Sequence, residues 1–232
     1  MKQEVYPDIL LENYDLVLHA YPQLFRLREE VAEILHIHFR DSERILIEIG
    51  CGAGATTEYI LRQNPKLKII AIDRDQRMID RLKENLPEFV KTRRLIPLTI
   101  DIFKYILTLD DSSIDGIASS WTIHNFSQKQ RTKLLHAIYR VLKPNGIFVN
   151  MDKYVLDNPQ DEQRSFDEVV KRLKEIPQPE VAAAAIQHEQ EDREVDIIMK
   201  EKESLSEMAK MGFKNVQIHI RIGREVVVSC LK

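Results

Sequence analysis

The sequence predicts an α/β protein: a doubly wound, mostly parallel sheet with helices on both faces and an antiparallel strand at its close. Three features carry that prediction. From Arg44 onward, short apolar runs alternate with amphipathic segments, the pattern of strands joined by crossover helices. The first run, RILIEIG, breaks into a glycine-rich turn, GCGAGA, before a helix-like stretch. The last segment, NVQIHIRIGREVVVSCLK, holds two strand-like runs joined at Gly223 and reads as an antiparallel hairpin.

Residues 1–40 read as a helical cap. Leu10, Tyr14, Val17 and Leu18 share one helical face, Tyr21-Pro22 interrupts it, and a second helix carries Leu24, Leu27, Val31, Ile34 and Leu35. Residues 41–232 form the α/β domain. RILIEIG is its first strand, followed by a helix over 56–62, and KLKIIAID is its second, followed by a helix over 76–86. RLIPLTID is the third, where Pro97 argues for an irregular or edge-like stretch. SSIDGIASS is the fourth, followed by the helix QKQRTKLLHAIYRVL, and the turn KPNG introduces the fifth, GIFVNMD. A helical insertion over about 157–203 comes next. In it Phe166, Val169, Val170, Leu173 and Ile176 share one face, and EVAAAAIQ is strongly helix-forming. The short helix SLSEMAKMGF then stops at Gly212.

Composition sets the bounds. With 44% apolar and 31% charged residues, the chain can bury a full core. A net charge of -3 supplies no general attraction to nucleic acid or an anionic membrane. No apolar run approaches the roughly 20 residues of a membrane span. The stretch MKQEVYPDILLENYD carries acids through its apolar part, unlike a signal or transit peptide. Cys51 and Cys230 make neither a disulfide framework nor a metal set, so a reduced, cytoplasmic setting is expected. His36 and His38 lack further ligands at metal spacing, and no metal is expected.

The glycine turn is the first candidate site. Without Cβ atoms, backbone can take unusual φ values and admit a ligand close to the main chain and a helix N-terminus. One glycine would suit a tight turn; Gly50, Gly52 and Gly54, alternating with Cys51 and Ala53, suit a ligand better. The pattern also satisfies a dinucleotide fingerprint, with Asp73 about 20 residues on. Four features favour a different nucleoside. Glu48 ends its strand where a carboxylate can meet an ammonium, which a pyrophosphate lacks. Asp73 in AIDRDQRMI can accept from both hydroxyls of a ribose. Asp101 in LTIDIF is placed to accept from an exocyclic adenine amine, and the final hairpin predicts the antiparallel strand.

With those residues in view, the chain resembles the class I S-adenosylmethionine-dependent methyltransferases over about residues 44–152 and again from Gly212 onward. IEIGCGAG resembles the family's first motif, AIDRDQRMI its ribose-acid motif, LTIDIF its adenine stretch, and IYRVLKPNGIFV the approach to the fifth strand, with Asn145 where glycine is more usual. The resemblance implies a Rossmann-like, seven-stranded mixed sheet that binds S-adenosyl-L-methionine across the carboxyl ends of its strands. It implies that Gly50, Cys51, Gly52 and Gly54 line the methionine and ribose, Glu48 holds the amine, and Asp73 takes the ribose. Asp101 and the Ile102 amide would take the adenine. Met78 would pack on the adenine face, although core packing explains it equally well; Arg74 would cover the ring or simply be solvated. Asp75 reads as a helix N-cap.

ASSWTIHNF, after the fourth strand, should wall the acceptor pocket with Trp121, and Ser120 matches a position that touches the methionine. His124 is the candidate catalytic base, with packing of the next helix as its plain alternative. A base is dispensable where positioning and desolvation suffice. Tyr6, Tyr14, His19 and Tyr21 are candidates for a lid. Asp152-Lys153 faces the acceptor or pairs internally, and IQHEQEDREVD, with His188 and Arg193, reads as a solvated acidic face. The expected function is methyl transfer to a small-molecule acceptor by in-line displacement. A nucleic-acid or protein acceptor and a homodimer stay open. The segment WTIHNFSQKQRTKLLHAIYRVLKPNGIFVNMDKY also resembles the subgroup containing carboxy-S-adenosylmethionine synthase, which serves tRNA modification. A non-catalytic cofactor-binding scaffold is the third reading.

Overall fold

The computed structural model describes residues 7–40, 42–193 and 198–232. Tyr6 lies outside the described residues. Seven strands, β1 (Arg44–Ile49), β2 (Leu67–Asp73), β3 (Leu95–Thr99), β4 (Ile114–Ser120), β5 (Leu142–Lys153), β6 (Lys214–Ile222) and β7 (Glu225–Leu231), form one sheet in the order β3-β2-β1-β4-β5-β7-β6. β1 to β5 are mutually parallel, and β7 runs antiparallel between β5 and β6. The expected mixed sheet with an antiparallel last strand is therefore present. Pro97 sits in β3, an edge strand, where a missing N–H costs no ladder bond.

The N-terminal segment differs from the single helix expected before Tyr21. It forms α1 (Asp8–Glu12) and α2 (Tyr14–Leu18), broken at Asn13, whose side-chain amide donates to the Ile9 carbonyl at 2.9 Å. That bond satisfies a carbonyl at the end of α1 and ends the turn there. α3 (Leu24–Phe39) buries Leu24, Leu27, Val31, Ile34 and Leu35 as the spacing predicts. Between the strands run α4 (Ala55–Gln63), α5 (Gln76–Asn85), α6 (Pro87–Lys91), α7 (Ile102–Tyr105) and α8 (Gln128–Val141). Asp75 caps α5 by accepting from the Arg77 amide. Asn145, where glycine was the commoner expectation, has φ +63°, a left-handed conformation that asparagine tolerates. After β5 come α9 (Pro159–Leu173), α10 (Pro179–Glu191) and α11 (Glu201–Lys210).

Side-chain alternation along the strands splits the core into two layers. Leu46, Val149 and Met151 pack with α3, α4, α9 and α10, while Ile47, Ile49 and Phe148 pack with α8 and α11. β1 and β4 are neighbours at the sheet's centre, and the chain winds outward from them in both directions. Ligands of open α/β sheets bind outside the carboxyl ends of the strands at such a switch point. The loops after β1 and β4 occupy that place.

Candidate functional site

Glu48 lies on the α4 side of β1, and it is buried. Thr57, in the first turns of α4, donates its hydroxyl to Glu48 Oε2 at 2.6 Å, while Oε1 is buried with no hydrogen-bond partner among the described residues. Burial pushes the Glu48 carboxyl up to about 7, against the opposing pull of the Thr57 hydrogen bond. A half-satisfied buried carboxylate is costly unless a ligand completes it. An ammonium is the complement that charge requires. Sequence reasoning found Glu48 but not Thr57, although a hydroxyl one helical turn after Gly54 was a legible signal.

The turn after β1 is pinned to β2. The amides of Gly50 and Cys51 donate to the Ile72 carbonyl at 2.8 and 3.0 Å, and the Gly52 amide donates to Asp73 Oδ2 at 3.0 Å. Asp73 Oδ1 accepts from the Asp75 amide at 2.9 Å. Each oxygen then has one acceptor direction left, enough for a pair of hydroxyls. Burial raises the Asp73 carboxyl above its usual value, partly offset by those two amides. The three glycines have different reasons. A Cβ on Gly50 would collide with the Thr122 side chain, and one on Gly54 would lie 2.9 Å from Leu86 Cδ1. At Gly52 the nearest atom would be the Tyr14 hydroxyl at 3.8 Å, so Gly52 alone of the three leaves open room beside the turn. Cys51 is a buried free thiol.

Around this turn the other expected cofactor residues sit unevenly. Asp101 caps α7, its Oδ1 accepting from the Lys104 amide at 3.2 Å, and Ile102 is buried behind it. Met78 is buried with Leu11 and Ala53, and Tyr14 packs on the group. The α1–α2 segment thus covers Met78 and approaches Gly52, held by a bond from Arg81 Nη1 to the Leu11 carbonyl at 2.7 Å and an ion pair from Arg77 to Asp8. Arg74 is exposed. Of the lid candidates, Tyr14 and Tyr21 stand at the site, whereas the exposed His19 ring reaches the Asp15 carbonyl one turn back in its own segment.

At the end of β4, Ser120 Oγ and Trp121 Nε1 are buried without hydrogen-bond partners among the described residues. Trp121 has φ +50°, left-handed backbone that costs a non-glycine residue about 1–3 kcal/mol, and its amide N–H donates a hydrogen bond to the Met151 carbonyl at 2.8 Å. His124 is buried in a short helical turn over Ile123–Asn125, with Nδ1 2.5 Å from Asp152 Oδ1. The amides of Ile123 and His124 donate to Asp152 Oδ2, so the carboxylate fixes both the turn and the ring. Asp192 Oδ2 faces the ring's other nitrogen, Nε2, at 3.7 Å. Burial alone would lower the His124 pKa, but the Asp152 and Asp192 carboxylates outweigh it and raise it.

Asp152 and Lys153 do not pair their side chains. Alternation along β5 sends Asp152 toward His124 and Lys153 to the opposite face, toward α10. Lys153 Nζ donates to Glu189 Oε2 and Asp192 Oδ2, each at 2.7 Å, and lies 4.7 Å from the centre of the Trp121 ring. Glu189 also accepts from the Tyr21 hydroxyl at 2.8 Å and from Arg224 Nη1 at 2.7 Å. The solvated acidic face expected around 188–193 is corrected here: Glu189 and Asp192 are buried because Lys153 and Arg224 draw them inward. His188 is partly buried, and Arg193 stacks 4.3 Å from the Phe166 ring centre. Glu189 and Asp192 escaped the sequence reading; their spacing in line with Ala182 and Ala185 on one helical face was the available sign.

Residues 47–150 match the model of the methyltransferase domain. The chain is 31% identical over 137 residues to the tRNA N(3)-methylcytidine methyltransferase trm140 of Schizosaccharomyces pombe, covering 58% of this chain and 45% of that protein. It is 27% identical over 141 residues to the carboxy-S-adenosyl-L-methionine synthase of Shewanella woodyi, covering 60% of this chain and 56% of that one. The chain thus spans about half the length of these curated relatives. Among solved structures, a SAM-dependent methyltransferase from Aquifex aeolicus shares the fold with a TM-score of 0.59 at 18% identity, covering 94% of this chain and 97% of that one. The CurJ carbon methyltransferase shares it with a TM-score of 0.65 at 17% identity, over 88% of this chain and 53% of that one. The β5-β7-β6 edge, the acids at the ends of β1 and β2, and the matched domain lead to one conclusion: residues 47–150 carry a methyltransferase domain, on a sheet fold that the chain shares with solved SAM-dependent methyltransferases.

Proposed function

We propose that this protein transfers a methyl group from S-adenosylmethionine to a small-molecule acceptor by in-line displacement. The observation that carries the reading is Glu48 Oε1, a buried carboxylate oxygen that has no hydrogen-bond partner among the described residues, near the open backbone at Gly52. S-adenosylmethionine supplies a methyl already activated on a sulfonium. The chain's part is to bind, orient and dry the reactants. Glu48 takes the ammonium, the Asp73 carboxylate takes the ribose hydroxyls, and Asp101 with the Ile102 amide takes the adenine edge. Gly50, Cys51, Gly52 and Gly54 supply the backbone wall, and Met78 packs nearby. Ser120 and Trp121 stand between this crevice and the acceptor face, where His124 touches the acceptor. Tyr14 and Tyr21, from the α2 end, exclude water.

Calorimetric titration with S-adenosylmethionine, S-adenosylhomocysteine and NAD tests the binding half. The first two should bind and the third should not; binding of NAD alone overturns the reading. Glu48→Gln should lose most of that affinity while keeping its fold. A screen of small acceptors with a methyl-labelled cofactor tests the transfer. The similarity to carboxy-S-adenosyl-L-methionine synthase supports a second reading, in which the bound nucleoside carries an extra carboxylate. Arg193, the nearest sequence candidate to hold that group, is engaged with Phe166 and lies 3.9 Å from Glu162 Oε1. Mass spectrometry of nucleoside released from purified protein separates the two readings.

A further inference from the structure

Asp192 Oδ2 is a single carboxylate oxygen standing between the buried Lys153 ammonium and the His124 imidazole, 2.7 Å from Lys153 Nζ and 3.7 Å from His124 Nε2. Resting on the methyl-transfer reading, we propose that the acceptor presents an oxygen ionised at neutral pH, a carboxylate or an acidic enol or phenol, and that Asp192 holds the place of that oxygen.

The ammonium and the imidazole are fixed without Asp192. Lys153 is also held by Glu189 at 2.7 Å and by the face of Trp121, and His124 is held through Nδ1 by Asp152. Their side chains are only 5% and 8% exposed, so the site between them is built rather than assembled from surface groups. Asp192 has a different origin. Lys153, His124, Asp152 and Trp121 belong to the ends of β4 and β5, whereas Asp192 caps α10, which packs on α1, α2 and α9. Withdrawing that cap leaves an ammonium and an imidazole facing a common point beside the sole tryptophan. An anionic oxygen can enter there with no change in buried charge. A neutral acceptor would leave Lys153 with one carboxylate, which it already shares with Arg224 and Tyr21. An ammonium would meet Lys153 directly.

The chemistry balances without a base. A lone pair of the ionised oxygen forms the new O–C bond while the C–S bonding pair leaves with sulfur, and no proton moves. His124 donates from Nε2 and Lys153 donates from Nζ to orient the oxygen, and Asp152 keeps the imidazole in place. The product is a neutral ester or ether, which has lost its attraction to Lys153, and Asp192 returns as it leaves.

Trp121 is the only tryptophan in the chain, so its fluorescence reports this position directly. Wild type and Asp192→Asn are titrated with benzoate, benzyl alcohol and benzylamine, with circular dichroism confirming that both proteins are folded. Benzoate should bind Asp192→Asn at least tenfold more tightly than wild type, and the double variant Asp192→Asn, Lys153→Gln should lose that gain. Wild type itself gives a second measure, since benzoate should bind it more tightly than benzyl alcohol. Equal benzoate affinity in wild type and Asp192→Asn, or a gain for benzylamine instead, overturns the proposal. Calorimetry with S-adenosylhomocysteine on the same proteins keeps the two ideas apart. A failure of nucleoside binding strikes the methyl-transfer reading, whereas a failure of benzoate discrimination strikes only the acceptor class.

Discussion

Glu48 allows one perturbation to be worked through. Burial places its folded pKa at about 7, against an ordinary 4.5. A raised folded value means that the folded state keeps a proton which the unfolded chain has released. The associated stability is present in full below the unfolded value and is lost as pH rises from 4.5 through about 7. At ~1.4 kcal/mol per pH unit, the gap amounts to about 3 kcal/mol. Glu48→Gln cannot ionise, so its stability relative to wild type should climb by about 3 kcal/mol between pH 4 and pH 8. Any constant cost of burying the amide cancels from that slope. Urea unfolding of both ligand-free proteins at half-unit pH intervals measures it. A ligand ammonium reverses the balance by favouring the carboxylate, so wild-type affinity for S-adenosylhomocysteine should rise with pH up to about 7 and then level. A flat stability difference across this range, or an affinity indifferent to pH between 5.5 and 7.5, would refute the burial argument.

Other sites give sharper contrasts. Gly50→Ala should cost more than ~3 kcal/mol, since a left-handed backbone penalty of ~1–2 kcal/mol adds to a collision with Thr122, whereas Gly52→Ala should cost only the backbone penalty; thermal melts of the two variants check the order. Lys153→Met leaves Glu189 and Asp192 as buried charges short of a partner and should destabilise by ~3–5 kcal/mol, recovered in part when Glu189→Gln and Asp192→Asn are added, as read by denaturant unfolding. For His124 the folded pKa is raised, so its ion-pair stability is full below the unfolded value of about 6.5 and is lost as pH rises through the folded one. Its imidazole proton resonances should titrate above that value in wild type and shift downward in Asp192→Asn. If His124 acts as a donor, turnover should fall over the same rise in pH; a rise in turnover would restore its role as a base.

The sheet was legible because its signals are local. Alternating runs, the glycine turn and Pro97 each report a nearest-neighbour constraint, and all three point to the strands that form. Glu48 and Asp73 were legible for the same reason, as acids at strand ends. The acceptor end was not. Lys153 meets Glu189 and Asp192 across 36 and 39 residues, and an acidic run gives no sign of which cation will draw it inward. Of the two readings of Asp152-Lys153, internal pairing fails because neighbours in a strand point to opposite faces. Met78 showed a related ambiguity. Its helix and burial were predictable, but the segment that covers it comes from α1, which breaks at Asn13, where backbone and side-chain N–H groups both donate to the Ile9 carbonyl.

Where the expensive groups sit bears on their purpose. Among the described residues, the buried carboxylates, lysine, arginines and histidine are Glu48, His124, Arg131, Asp152, Lys153, Glu162, Glu189, Asp192, Arg224 and Glu225. Glu48, Asp152 and Lys153 end parallel strands, and Arg224 and Glu225 begin β7, which runs the other way and so starts at the same edge. His124 follows β4, Arg131 donates to the carbonyls of His124 and Phe126, and Glu162, Glu189 and Asp192 reach this edge from the insertion. A fold seeking only stability has little use for such a network, because well-packed apolar residues commonly hold two elements together as well or better. Chance would also have spread these groups over both edges. Their confinement to the carboxyl edge, where open α/β sheets bind ligands, favours a functional origin. A charge held by another charge can be exchanged for a ligand's charge at little net cost, whereas a packed apolar contact cannot. That exchange is available at both ends of the crevice, where Glu48 awaits a cation and the Lys153–His124 pair holds an anion.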